Sequence, residues 1–247
     1  MGVLVIGVAA LAIGWGTIAY FSDTETSSGN TFTAGAIDLK IDSSCSYNGE
    51  PQSSCTWNLT DLTDKLFANF VDLKPGDHGE NTISFHVESN DAWLCAEVTK
   101  TEDDDVDCTE PEIEAEGDDC APENDGELDD YLMIFAWADD GDNVFEPPDE
   151  KPLMEAPVKL AEYVGRFPIV DSTFNAFGEE GPLKGGKDYY IGVAWCFGDM
   201  TIQNGTITCD GGNVGNDAQT DTLKLDVSFE AVQARNNGNF KCVPQSA

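Results

Sequence analysis

Basic residues are the first scarcity. Only 12 Lys and Arg stand against 47 Asp and Glu in 247 residues, a formal net charge of −35. Binding to nucleic acid or to an anionic membrane surface needs cationic side chains that displace counterions, so both partner classes are excluded. Histidine is nearly absent: His78 and His86 are the two imidazoles, and no H-E-x-x-H occurs, which removes the zincin arrangement. His86 falls on the polar face of a strand pattern and His78 in a turn, so both read as surface residues. There is no G-x-S-x-G, hence no nucleophile elbow. Gly181–Lys187 (GPLKGGK) starts like a P-loop, but Asp188 replaces the magnesium-binding Ser/Thr and a strand pattern follows, so it reads as a turn. Close C-x-x-C pairs are missing, which weakens any zinc reading. Carboxylates are so numerous that no pair singles itself out as a glycosidase dyad. No catalytic residue is assigned and no enzyme activity is expected.

Hydrophobic residues make up 40% of the chain and aromatics 10%, enough for a real core and too much for an acidic disordered protein. Met1–Ala19 (MGVLVIGVAALAIGWGTIA) carries no charge. It is marginal as a membrane span, which needs ~20 apolar residues. Thr17 and Ala19 are small residues where a signal peptidase reads, so removal between Ala19 and Tyr20 is preferred, although a basic n-region is lacking. Membrane contact would come only through this segment if it were retained. Export gives the eight cysteines a role as up to four disulfides. Local pairs Cys45–Cys55, Cys108–Cys120 and Cys196–Cys209 are expected, leaving Cys95–Cys242 to tie the C-terminus to the core.

Alternation of apolar and polar residues recurs along the rest of the chain. Residues 36–42 place Ile37, Leu39 and Ile41 on one face. Residues 43–56 read as a loop, Leu66–Val71 as a strand, and Leu73–Asp77 as a Pro-Gly turn. Asn81–Glu88 and Ala92–Lys100 read as strands joined by a tight step at Ser89–Asp91. Tyr131–Ala138 and Asp188–Phe197 are apolar strand runs, and Thr201–Cys209 is expected to pair with the second. Thr222–Ala231 alternates most cleanly. Between them, residues 102–130 hold 16 Asp or Glu and no Lys or Arg, the pattern of a solvated insertion rather than core. Prolines 152, 157, 168 and 182 exclude a long helix in 151–187. About eight strands without a long amphipathic helix predict an all-β, jelly-roll-like antiparallel sandwich over residues 36–247.

Hard cations need six to eight oxygen ligands on a flexible loop. Asp139, Asp140, Asp142 and Asn143 surround Gly141 directly after a buried strand, with Glu146 within reach, so this loop is the leading calcium candidate. Asp103, Asp105, Asp107 and Glu114 have EF-hand spacing, but Cys108 occupies the position that requires glycine. Asn58 and Asn204 head glycosylation sequons.

Both ends of the chain carry a resemblance. Gly16–Asp23 (GTIAYFSD) resembles the signal-peptide end read by the SipW-type signal peptidase, and Asn30–Gly35 followed by Ile37–Leu39 resembles the mature start of TasA/camelysin proteins. Leu73–Asp77 resembles that family's turn, and Val227–Gln233 its last strand. The resemblance implies a secreted jelly-roll protein that builds biofilm-matrix fibres or archaeal bundling pili by donor-strand complementation, with other copies of itself as head-to-tail partners. The donor would be the segment from Tyr20 and Phe21 through Thr31, Phe32, Thr33 and Ala34, within an N-terminal region of residues 20–35. The camelysin name implies a metalloprotease, for which this sequence has no zinc motif. The eight cysteines and the acidic insertion set the chain apart from the fibre-forming members. The competing reading is a calcium-dependent surface adhesin or carbohydrate-binding sandwich.

Overall fold

The computed structural model describes residues 22–26, 37–117 and 125–243. Ala19, Tyr20, Phe21, Thr31, Phe32, Thr33, Ala34 and Cys120 therefore lie outside the described residues. The architecture is an all-β antiparallel sandwich. Its strands are β1 (Ser22–Thr26), β2 (Leu39–Tyr47), β3 (Glu50–Pro51), β4 (Trp57–Thr60), β5 (His78–Val87), β6 (Ala92–Asp104), β7 (Leu132–Asp139), β8 (Val158–Lys159), β9 (Gly165–Val170), β10 (Asp188–Phe197), β11 (Asp199–Gln203), β12 (Thr206–Asp210) and β13 (Thr222–Gln233). Two short helices, α1 (Glu110–Glu116) and α2 (Leu128–Tyr131), sit between β6 and β7. One sheet runs β1-β13-β6-β9, the other β3-β2-β5-β10-β7-β8 with β4 on β2, and β11-β12 form a separate hairpin.

The core lies between the two main sheets. Leu39, Ile41, Ile83 and Phe85 from one sheet pack with Leu94, Phe229 and Ala231 from the other. The Phe85 and Phe229 rings meet edge to face at 4.9 Å, the preferred geometry for an aromatic pair. The alternation at Ile37, Leu39 and Ile41 continues into buried Ser43 and Cys45, so β2 runs through residues 43–47 of the segment expected as loop.

Four expectations about strands need correction. Ala92–Lys100 does not partner Asn81–Glu88. β5 is already flanked by β2 and β10 and has no free edge, so residues 89–91 carry the chain across to the other sheet, where β6 pairs β13 and β9. Leu66–Val71 is irregular rather than strand. Its apolar residues are side-chain anchors: Phe67 meets Phe229 and Phe70 meets Trp195. Thr201–Cys209 does not pair with β10. Asn204 and Gly205 take positive φ of 52° and 86°, the conformation of a tight hairpin turn, and fold the segment on itself as β11-β12. Thirteen strands rather than about eight are present among the described residues, the excess being mainly two- to five-residue pieces.

The acidic stretch 102–130 is also not simply solvated. β6 extends to Asp104, and Asp103, Asp105, Glu112 and Asp129 are buried. Lys100, just upstream of the stretch, bonds Asp103 and reaches Asp129 at 2.9 Å, which gives two of these acids a counter-ion.

Three expected disulfides are formed: Cys45–Cys55, Cys95–Cys242 and Cys196–Cys209. Cys108 is also disulfide-bonded. Cys95–Cys242 closes the C-terminal segment onto β6, and Asp171 holds the same segment by hydrogen bonding. Its Oδ1 accepts from Thr173 N–H (2.7 Å), Thr173 Oγ1 (2.9 Å) and Phe174 N–H (2.9 Å), and its Oδ2 accepts from Cys242 N–H (3.2 Å). Burial alone would raise the Asp171 pKa, but these four donors hold it below its ordinary 3.8. A lowered carboxylate pKa contributes stability that is present above pH ~4 and lost as pH falls through the lowered value. Asp171→Ala should therefore cost about 2–3 kcal/mol at pH 7, since a charged acceptor is removed and its four donors are left without it. Denaturant titrations of both proteins should show the gap narrowing below pH ~4; a pH-independent gap would mean that the carboxylate charge plays no part.

Candidate functional site

Two features are available for function: the sheet edge at β1 and the acidic loop after β7. β1 is held antiparallel on β13, with Ser22 opposite Val232 and Thr26 opposite Ser228. Among the described residues it ends its sheet, with no strand beside its other main-chain edge. The opposite edge is β9, where Pro168 lacks a donor and Gly165 has a φ of 126°; both mark a strand unsuited to further pairing. Arg166 of β9 ties this sheet together, bonding Glu230 of β13 and lying 3.5 Å from Glu97 of β6.

Between the sheets is a cavity of about 440 Å³ lined by apolar side chains including Val98, Leu132, Ile134, Val193, Leu225 and Val227. No carboxylate lines it, so it has none of the paired acids a glycosidase needs.

The loop begins where β7 ends. Asp139 is buried, and its carboxylate folds the turn: Oδ2 accepts from Gly141 N–H (3.0 Å) and Asn143 N–H (3.3 Å), Oδ1 from Trp137 Nε1 (3.0 Å). Gly141 has a φ of 110°, a conformation that glycine allows without a Cβ penalty. Asp139, Asp140, Asp142 and Glu150 each bring a carboxylate oxygen within 4.8 Å of the others. Burial raises the pKa of Asp139 and of Glu150, and the neighbouring carboxylates push both further in the same direction.

The sequence placed two residues of this set differently. Glu146 does not join the cluster; its N–H donates to Glu150 Oε2 at 2.9 Å, and Glu150 takes the place expected for it. Asn143 turns its amide to Glu80 Oε2 at 3.3 Å. Glu150 was hidden because Pro147 and Pro148 separate it from the loop in sequence, and the chain doubles back to let Asp140 N–H reach Glu150 Oε1 at 3.0 Å. The EF-hand-like set does not converge. Asp103 binds Lys100, the Asp107 carboxylate accepts from Cys108 N–H, Glu114 is exposed, and Asp105 faces other partners.

The histidines form no metal centre. His86 is engaged at both ring nitrogens, with Nδ1 2.6 Å from Asp188 and Nε2 3.0 Å from Ser84 Oγ. His78 is exposed beside the Gly76 carbonyl. The turn reading of Gly181–Lys187 is supported by Leu183, which bridges to Ala92, and by β10 following at Asp188.

The family model for camelysin metallo-endopeptidase matches residues 1–238. No curated protein matches the chain. The family's name implies a metal, and protease zinc centres take imidazole nitrogen among their ligands. The metal-capable groups among the described residues are carboxylates alone, and no described cysteine is free. That donor set does not fit zinc; it suits a hard cation such as calcium. Among the described residues no helix is long and apolar enough to cross a membrane, and the disulfides fit an extracellular protein. With 238 of its 247 residues covered, the chain belongs to the camelysin metallo-endopeptidase family.

Proposed function

We propose that this chain is a secreted structural subunit that assembles into extracellular filaments or matrix by donor-strand complementation, with cations moderating the assembly. The observation that carries this reading is the position of β1. Among the described residues it is the first strand, five residues long, and hydrogen-bonded to one neighbour at a sheet edge. A strand held this way exchanges with the same strand of another copy at little cost, because each main-chain bond broken within one chain is remade between two. Exchange from one copy to the next is head-to-tail, does not close on itself, and gives filaments. Tyr20–Ala34 would be the donor, freed when the SipW-type signal peptidase cuts between Ala19 and Tyr20. A peptidase function has no comparable support, because the carboxylate clusters lack a zinc donor set. The adhesin alternative rests on the Asp139 loop alone.

Deleting Tyr20–Ala34 from the mature protein should leave a monomer that keeps its β-rich circular dichroism. Electron micrographs in which the deletion variant still forms filaments would refute the donor-strand mechanism. Net charge supplies a second test. Subunits of charge −35 repel one another, and the Debye length shrinks from ~30 Å at 0.01 M to ~8 Å at 0.15 M salt. Filament growth followed by light scattering should rise about tenfold or more over that range, and millimolar calcium should replace most of the salt. Growth that ignores both would show that charge does not limit assembly. Calcium-dependent glycan binding by a protein that never polymerises would favour the adhesin.

A further inference from the structure

A second carboxylate group draws two of its three members from the stretch that composition marks as solvated. Asp105 follows β6, Glu112 sits in α1, and Asp221 immediately precedes β13. Each brings a carboxylate oxygen within 4.8 Å of the other two. Two ligands of one calcium ion at ~2.3–2.6 Å stand at most ~5 Å apart, so the three oxygens fit a single ion.

These acids are not a solvated surface patch. Glu112 is 0% exposed and Asp105 5%. One oxygen on each residue, Asp105 Oδ1, Glu112 Oε1 and Asp221 Oδ1, is sealed from solvent and has no hydrogen-bond partner. A buried carboxylate oxygen without a partner carries an uncompensated desolvation cost, and three together compound it through repulsion. Lysine and arginine do not relieve it. Among the described residues none pairs with these three acids; Lys100 is committed to Asp103 and Asp129, and Lys224 to Glu102.

The other oxygens are held in place. Glu112 Oε2 accepts from Thr109 N–H at 2.9 Å, closing the capping box of α1. Asp221 Oδ2 accepts from Leu128 N–H at 2.9 Å. Two carboxylates are thus oriented by one oxygen each while the second oxygen stays free, the arrangement in which outer hydrogen bonds preset metal ligands. Burial, with the charges of Asp105 and Glu112 behind it, pushes Asp221 up to about 7, against the pull of its N–H donors.

We propose that Asp105, Glu112 and Asp221 form a buried structural calcium site that fastens the acidic insertion to the ends of β6 and β13. All-oxygen ligation selects a hard cation, and a dry site favours calcium, because magnesium gives up its waters reluctantly. The remaining ligands are main-chain carbonyls or water. Since Asp221 leads directly into β13, the ion also stiffens the strand that carries β1. The site stands or falls independently of filament formation, because it is read on the unassembled chain.

The test uses the mature full-length protein at low salt, stripped with EGTA and titrated with calcium chloride by calorimetry, with magnesium chloride in parallel. Glu112→Gln keeps the capping-box acceptor and removes one negative charge. It should lower calcium stoichiometry by one ion per chain, and Asp139→Asn should leave that ion bound. The calcium dependence of the melting temperature gives a readout that a purely structural role for Glu112 would not move. Without calcium the Glu112→Gln protein should melt higher than the unsubstituted protein, because repulsion is relieved. With calcium it should melt lower, because the ion is lost. Unchanged stoichiometry, or a variant that melts lower by the same amount with and without calcium, would overturn the site.

Discussion

A shortage of cationic side chains governs this fold. Forty-seven carboxylates share twelve Lys and Arg, so most acids must be stabilised by something other than an ion pair. Three of the cations each serve two acids: Lys100 between Asp103 and Asp129, Arg166 between Glu97 and Glu230, and Lys40 between Asp38 and Glu88. Elsewhere the main chain substitutes. Asp171 collects four N–H and O–H donors to pin the C-terminal segment, and Asp139 collects three to shape its loop. Disulfides carry part of the load that ion pairs would share in a charge-balanced protein, closing loops without adding charge. Seven acids converge in two carboxylate clusters, and there a dissolved cation is the natural counter-charge.

The same constraint links structure to assembly. The proposed exchange of β1 would bring two highly negative bodies together. Main-chain hydrogen bonds supply geometry without needing charge complementarity, which suits a subunit with so few basic residues. The far edge of that sheet ends in β9, whose proline and positive-φ glycine disfavour further pairing, so the proposed exchange would use β13. Strand β13 is therefore the centre of the account. It carries β1 at one end, pairs with β6 along its length, and begins beside Asp221 at the other end.

Much of the fold was legible in sequence because alternation reports burial directly. Leu223 to Ala231 and Ile83 to Val87 fall within β13 and β5, and Asp188–Phe197 coincides with β10. Partner choice was not legible, because periodicity does not say which edge is free. That is why β6 was assigned to β5 and not to β13. Asn204-Gly205 is a hairpin signal, and it folds Asp199–Asp210 on itself although Cys209 bonds to Cys196. Three pairings were readable from loop length and elimination. The carboxylate sites were readable only where ligands are adjacent. Asp139, Asp140 and Asp142 are close in sequence, whereas Glu150 arrives by a turn and Asp221 from across the sheet. Glu112 did leave a trace, since Thr109-x-x-Glu112 is a helix-start signature inside a stretch that net charge alone marks as solvated.

The exchange of β1 between copies is most directly tested by cross-linking two variants that each add one cysteine to the native eight. Thr26 and Ser228 are register partners across β1 and β13. Thr26→Cys protein and Ser228→Cys protein, differently tagged and mixed before assembly, should give a covalent heterodimer under mild oxidation once filaments form, and none while both remain monomeric. Filaments that yield no heterodimer, while a single chain carrying both cysteines still cross-links within itself, would contradict strand exchange.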